Sequence, residues 1–129
     1  MKKFIKFLVI LTLITISIGL LVIGNGYNMY KNAIEENPLQ EKVEEIRSKE
    51  NYVKLQELPQ IYLDAVISVE DHRFYKHEGI DIIAIGRALF NDIKAMSFVE
   101  GGSTITQQIA KNEYFIQEKR ITRKVAEVF

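Results

Sequence analysis

The stretch 61-IYLDAVISVED-71 decides how the rest of the chain is read. Pro59 stands just ahead of it, a favoured helix opener. Ile61, Ala65 and Val69 share one helical face, Tyr62 and Val66 a second, Leu63 and Ile67 a third. A helix apolar nearly all round is expected to be buried. It ends in Glu70 and Asp71, so a packed helix delivers two carboxylates at its C-terminal end. That is the unfavourable end of the helix dipole for an acid, and a local conflict of this kind marks a functional position. Burial at such an end would raise a carboxylate's pKa by desolvation, which suits a general acid or base near neutral pH.

Downstream, helical signals continue and no alternating strand pattern of useful length appears. His72 to Gly79 reads as an irregular connection closed by Gly79. Asp81 is a good N-cap for a helix from about Ile82 to Met96. Its Ile82, Ile85, Leu89 and Ile93 form a stripe expected to face the core. A loop follows from Ser97 to Gly102. Thr104 and Gln107 make a capping-box pattern for a helix to about Phe115. After a short polar segment, Thr122 is the expected cap of a last helix. The fold class is therefore all-α.

Upstream, residues 7–30 carry no charge, and Phe7–Ile23 is broken only by Thr12, Thr15, Ser17 and Gly19. Phe4–Gly24 is long enough to span a bilayer, about 20 apolar residues being needed. Lys2, Lys3 and Lys6 precede it, which predicts a cytoplasmic N-terminus and an extracytoplasmic remainder. An uncleaved anchor fits better than a cleaved signal peptide, because the run is long and Gly24 and Gly26 offer a poor cleavage pattern. The expected organisation is anchor 1–24, juxtamembrane helix or linker 25–57, and a domain over 58–129. Leu39, Val43 and Ile46 recur at helical spacing within the linker, which reads as a solvated spacer more than a coiled coil.

Among 129 residues, 17 basic balance 17 acidic, and setting aside the three anchor lysines leaves acids in excess by three. That excludes a nucleic-acid footprint. Absence of cysteine excludes disulfides and thiolate metal sites. His72 and His77 are five apart and share no helix face, so they do not suggest a metal pair.

Three clusters carry candidate chemistry. The first is Glu70 to Gly79. The second, 101-GGSTITQQIAKN-112, has two glycines that would let backbone approach a ligand. Its helix start would offer unpaired N–H groups and a positive dipole end to an anion. The third is Arg123-Lys124-x-x-Glu127. On a helix these three project to one side, two cations beside a carboxylate, a set able to hold a pyrophosphate. Each cluster alone also has an ordinary structural reading: a charged turn, a capped helix, an intrahelical ion pair.

Together, in this order and at these separations, they resemble the first three signatures of family 51 glycosyltransferases, the peptidoglycan polymerases. The resemblance runs from about Leu58 to Phe129 and is most specific in the second cluster. It implies a lysozyme-like all-α domain split around a cleft, behind a transmembrane anchor. It implies lipid II as substrate, with Glu70 as general base and Glu127 as the second catalytic carboxylate. Asp71, Phe74, His77, Gly101, Gly102, Ser103, Thr104, Gln107, Gln108, Lys111, Asn112, Arg123 and Lys124 match the substrate-binding positions. A divalent cation, magnesium or manganese, is the implied cofactor, with no ligand set visible and no organic cofactor. Implied partners are lipid II, the growing glycan strand, the bacterial cytoplasmic membrane and other cell-wall synthesis proteins. The family continues beyond its third signature, whereas this sequence ends two residues after Glu127, so a truncated domain is expected. Two other readings stay open: a non-catalytic membrane-anchored remnant or interaction protein, and a lysozyme-like enzyme that cleaves finished glycan.

Overall fold

The computed structural model describes residues 1–115 and 120–129. Six α-helices and no strand occur among the described residues, as the all-α reading expected. The predicted polar segment after Phe115 falls on 116–119, outside the described residues.

Helix α1 spans Lys2–Glu36. It is long and apolar enough to cross a membrane, and its apolar stretch is not buried by the rest of the chain. The three hydroxyls of its Phe7–Ile23 stretch are internally satisfied: Thr12 donates to the Leu8 carbonyl at 2.9 Å, Thr15 to Thr12 at 2.8 Å and Ser17 to Leu13 at 2.8 Å. Backbone-directed bonds of this kind remove the cost of a hydroxyl in hydrocarbon. At 35 residues α1 is roughly 50 Å long, well beyond a hydrocarbon core of about 30 Å.

α1 therefore continues past the Phe4–Gly24 span read from sequence. Gly24 and Gly26 weaken a helix without ending it, and Asn25 bonds back to the Leu21 carbonyl at 2.8 Å. Tertiary contact completes the explanation. Gly26 is the one buried residue of α1, and a Cβ there would stand 2.6 Å from Val125 Cγ1 and 3.0 Å from the Thr122 carbonyl. Tyr27 meets the ring of Phe129 edge-on at 5.2 Å, and Tyr30 lies 6.0 Å from the same ring. The chain turns at Pro38 into α2, Leu39–Ser48, whose Val43 and Ile46 are half-buried.

Helix α3, Gln60–Glu70, starts directly after Pro59 and stops as Asp71 leaves the helical conformation. A single 3-10 turn, Phe74–Lys76, follows. Gly79 then takes φ +100°, a left-handed conformation that glycine adopts without a Cβ penalty. Helix α4, Ile82–Ala95, is capped by Asp81, whose carboxylate accepts from Ile83 N at 2.9 Å and Ala84 N at 3.0 Å. Asp92 organises the next loop by accepting from Val99 N at 2.8 Å and Glu100 N at 3.1 Å. Helix α5, Ile105–Tyr114, opens on the predicted capping box of Thr104 and Gln107. Helix α6 is Ile121–Ala126.

Three expectations are corrected here. Thr122 does not cap α6, because Arg120 is already extended at the N-cap and the helix begins two residues earlier than a Thr122 cap would place it. α3 is not buried: Ile61 and Val69 are exposed. The Ile82, Ile85, Leu89 and Ile93 stripe of α4 is exposed too, and it is Ala88 that packs inward. Periodicity identifies an apolar face; an element lying over that face is a separate matter, and none of the described residues covers these two. What is buried instead is mainly polar: Asp71, Asp81, Thr104, Gln107 and Glu127, with Ala88 and Ala126. The inner seam is a set of hydrogen bonds between the end of α3, the start of α5 and the end of α6.

Candidate active site

Glu70, the last residue of α3, is exposed. The desolvation expected of a buried helix end is therefore absent at its carboxylate among the described residues. Gln108 of α5 donates from Nε2 to Glu70 Oε2 at 2.7 Å. The two residues lie on an open cavity of about 360 Å³, with Val69, Gly101, Ser103 and Lys111 on its other walls.

Asp71 turns inward. Its carboxylate accepts from Ile105 N at 3.1 Å and lies 3.0 Å by both oxygens from His77 Nε2. The start of α5 thus receives an anion, but from the chain itself. The Gln107 amide is taken by Thr104 Oγ1 at 3.1 Å, and the Thr104 amide by Gln107 Oε1 at 3.2 Å. The unpaired N–H groups expected there are engaged at Thr104, Ile105 and Gln107. Thr104 and Gln107 are buried in this cap and do not line the cavity beside Glu70.

The two glycines divide their work. Gly101 has open space where a Cβ would stand, and it lines the cavity. Gly102 faces α4, where a Cβ would lie 3.0 Å from Ile85 Cα and 3.3 Å from the Ala84 carbonyl. Its smallness serves the approach of the loop to α4.

The third cluster sits as its spacing predicted. Glu127, buried, takes Arg123 on Oε1 and Lys124 Nζ on Oε2, the latter at 3.0 Å. Lys124 Nζ also donates to Ser103 Oγ at 2.5 Å, which joins α6 to the loop before α5. The Lys124 ammonium is held below its ordinary pKa of 10.5, by burial first and then by Arg123 and Lys111. The carboxylate of Glu127 does not reverse that direction. Arg123 and Lys124 thus meet at the Glu127 carboxylate, with Lys111 close enough to Lys124 to disfavour its charge.

The remaining candidates are placed plainly. Phe74 packs edge-on to Tyr75 at 5.2 Å and to His77 at 6.3 Å. Asn112 is exposed on α5. Sequence reading missed the partner of Asp81: Arg73 Nε donates to its Oδ2 at 2.8 Å. It also missed Glu100, which accepts from Arg87 Nε at 2.6 Å and from Asn91. Both pairs cross a turn, so helical spacing gave no signal for them. Burial pushes the Asp81 pKa up, but Ala84 N, Arg73 and Ile83 N outweigh it and hold the carboxyl below its ordinary 3.8.

Ligand atoms of Asp71, His77 and Asp81 lie within 4.8 Å of one another. Each is already committed, Asp71 to His77 and Ile105, Asp81 to Arg73 and the α4 amides, so this group is a closed hydrogen-bonded cluster.

Residues 35–129 match the family model described as transglycosylase. The chain is 51% identical over 76 residues to penicillin-binding protein 1F of Bacillus subtilis, covering 59% of this chain and 11% of that protein. It is 48% identical over 84 residues to a monofunctional glycosyltransferase of Staphylococcus epidermidis, covering 65% of this chain and 31% of the other. With penicillin-binding protein 1A of Vibrio cholerae it is 35% identical across 98% of its own length, 18% of the relative's. The chain thus spans from about a tenth to about a third of the length of these relatives.

Proposed function

Because the chain belongs to the transglycosylase family, we propose that it serves peptidoglycan glycosyltransfer, the polymerisation of lipid II into β-1,4 glycan with release of undecaprenyl pyrophosphate. The observation that carries this is one juxtaposition. The Glu70 carboxylate opens on the same cavity as Lys111 and Ser103, and Ser103 is bonded to Lys124. A base on one wall and cations on the other are what this displacement needs.

The chemistry divides between those walls. A sugar hydroxyl is a poor nucleophile, so a base must remove its proton as the bond forms. Glu70 would take the proton of the acceptor's 4-hydroxyl while that oxygen attacks the donor's anomeric carbon. The α-linked pyrophosphate departs with the bonding pair, and the configuration inverts. Charge growing on the leaving group is met by Lys124, Lys111 and Arg123. Glu127 holds Arg123 and Lys124 in that orientation, a positioning role for the second carboxylate. With its oxygens given to two cations, Glu127 does not fit as a ligand for a magnesium or manganese ion. The divalent cation belongs to this proposal only as a companion of the pyrophosphate, and no step is routed through it.

The proposed setting is the bacterial cytoplasmic membrane, with Lys2, Lys3 and Lys6 inside and residues after α1 outside. Lipid II and the growing strand are the proposed partners, with other cell-wall synthesis proteins as neighbours. Support for anchoring comes from α1, long and apolar enough to cross.

The test is the chain reconstituted in liposomes with lipid II. Lengthened glycan is expected, with Glu70→Gln lowering turnover by about 10²- to 10⁴-fold. Turnover indifferent to Glu70→Gln would overturn the assignment, and release of muropeptides from finished glycan would favour a cleaving enzyme instead.

A further inference from the structure

We infer that Glu100 is a positioning residue: gripped by Arg87 and Asn91 of α4, it holds the loop that carries Gly101 and Ser103 to the cavity beside Glu70. The kinetic half of this rests on the glycosyltransferase reading above; the clamp itself does not.

Nothing in the loop's own sequence fixes its path. Met96 leaves α4 at φ 51°, a left-handed conformation that costs a residue with a Cβ. Met96, Phe98 and Val99 are all exposed, so burial of apolar surface does not hold the segment down. Yet two of the residues that line the Glu70 cavity, Gly101 and Ser103, come from its far end.

The hold is supplied by one polar face of α4. Arg87 and Asn91 stand four residues apart and share that face. Arg87 Nε donates to Glu100 Oε1 at 2.6 Å, and Asn91 Nδ2 donates to Oε2. One donor on each oxygen fixes the plane of the carboxylate as well as its place. The Glu100 amide is held separately, by Asp92 Oδ1 at 3.1 Å, and the same oxygen takes Val99 N at 2.8 Å. Asn91 and then Arg87 keep the Glu100 carboxyl below its ordinary 4.5, against burial and the nearby Asp92. The ionised, acceptor-only form is therefore the one gripped near neutral pH.

Glu100 is thus tied to α4 by main chain and side chain together. On the other side of Gly101, Gly102 lies flush on the same helix, where a Cβ would stand 3.0 Å from Ile85 Cα. Gly101 is left between two fixed neighbours, with open space on its own free side. Ser103 follows at once and meets Lys124 Nζ at 2.5 Å. The place of the Gly101 wall, and of the Ser103 hydroxyl that Lys124 reaches, is inherited from the clamp. An ordinary surface ion pair does something different. The Arg87 and Glu100 side chains are 43% and 28% exposed, and such pairs add little to global stability. A pair of that ordinary kind leaves Gly101 where it was when removed, whereas a clamp frees Gly101 without unfolding the chain.

Seven glycines occur in the chain, so relaxation NMR of glycine-labelled protein in bicelles reads each of these backbone positions. Gly101→Ala, which has room for its Cβ, identifies the Gly101 signal. In the native chain Gly101 is expected to be as rigid as Gly79. Glu100→Ala should make it mobile on the picosecond-to-nanosecond timescale while Gly26 and Gly79 keep their resonances. Glu100→Gln, which still accepts from one of the two donors, should stay closer to native. A Gly101 as rigid in Glu100→Ala as in the native chain would overturn the clamp. If Gly26 and Gly79 move as well, that variant has lost the fold. Arg87→Ala, at the more exposed partner, then decides in its place, a mobile Gly101 supporting the clamp and a rigid one overturning it. In turnover of lipid II, Glu100→Ala is expected to lower kcat between about threefold and thirtyfold with KM little changed, and Glu100→Gln to recover part of the loss. A mobile Gly101 with unchanged kcat would overturn the positioning role. If the unaltered chain shows no turnover, the proposed function is what fails, and the Gly101 relaxation still decides the clamp.

Discussion

Two junctions hold the candidate site, and they are built from opposite materials. The α3–α5 seam is polar and buried: Asp71, His77, Thr104 and Gln107 exchange directed hydrogen bonds around Gly79 and Ile105. The α1–α6 junction is apolar and close: Gly26 admits Val125, and Tyr27 and Tyr30 meet Phe129. Hydrogen bonds fix atoms to within tenths of an ångström. Apolar packing fixes the distance between helices while leaving rotation freer. The first junction carries Glu70, whose proposed proton transfer needs exact reach; the second carries Arg123, Lys124 and Glu127, proposed to answer a diffuse charge. The material of each junction suits the demand on it.

The comparison breaks most readily at Asp71. Asp71→Ala would leave His77 Nε2 and the Ile105 N–H, both inside the part-buried seam, without their carboxylate partner. Unsatisfied buried groups cost about 1–3 kcal/mol each. A loss of roughly 2–5 kcal/mol is expected, read from chemical denaturation of the folded chain followed by circular dichroism. A loss below 1 kcal/mol would mean that the seam is wetter or looser than described.

Gly26→Leu is the matching test of the apolar junction. Overpacking typically costs about 1–3 kcal/mol, less than the seam. Val125→Ala in the same chain should recover part of it, since Val125 supplies the nearest atoms. If the double variant is no better than the single one, α1 does not rest on α6 at that point. Thr104→Val should cost about 1–2 kcal/mol, the usual range for a lost N-cap. It tests the capping box and the 2.5 Å bond to the Gly79 carbonyl together, since one hydroxyl makes both. Thr104→Ser, which keeps both bonds, should restore stability nearly in full.

What could be read from the sequence was what is local. Asp81 as a cap, Thr104 with Gln107, the stop at Glu70 and the shared side of Arg123, Lys124 and Glu127 all follow from spacings of four residues or fewer. The bonds that assemble the site join residues far apart: Ser103 with Lys124, Asp71 with Ile105, Glu70 with Gln108. No periodicity encodes those. The same limit explains Gly26, which reads as a weak point in α1 and is instead its contact. It also explains α3 and α4, whose apolar faces were legible while their exposure was not. Gly102 shows a third kind of gap, since a glycine reports permission for close approach without naming what approaches.

The smallest expected effect separates the two junctions by pH. Asp81 stands at the edge of the polar seam and has no counterpart in the apolar one. Its folded carboxyl is held below the ordinary value because Ala84 N, Arg73 and Ile83 N outweigh the burial that pushes it up. A depressed folded pKa adds stability wherever the carboxylate is ionised in both states, fully so above the unfolded value near pH 4. As pH falls through the depressed folded value, that contribution is lost. Tm should therefore fall on acidification below about pH 4, and by less in Asp81→Asn, which has no charge to lose. Gly26→Leu should lower Tm by a similar amount at every pH, since it touches no titrating group. Parallel acid limbs for the native chain and Asp81→Asn would show that Arg73 and the α4 amides do not discriminate charge at this position. The pH-sensitive part of the seam would then have to be sought in other carboxylates.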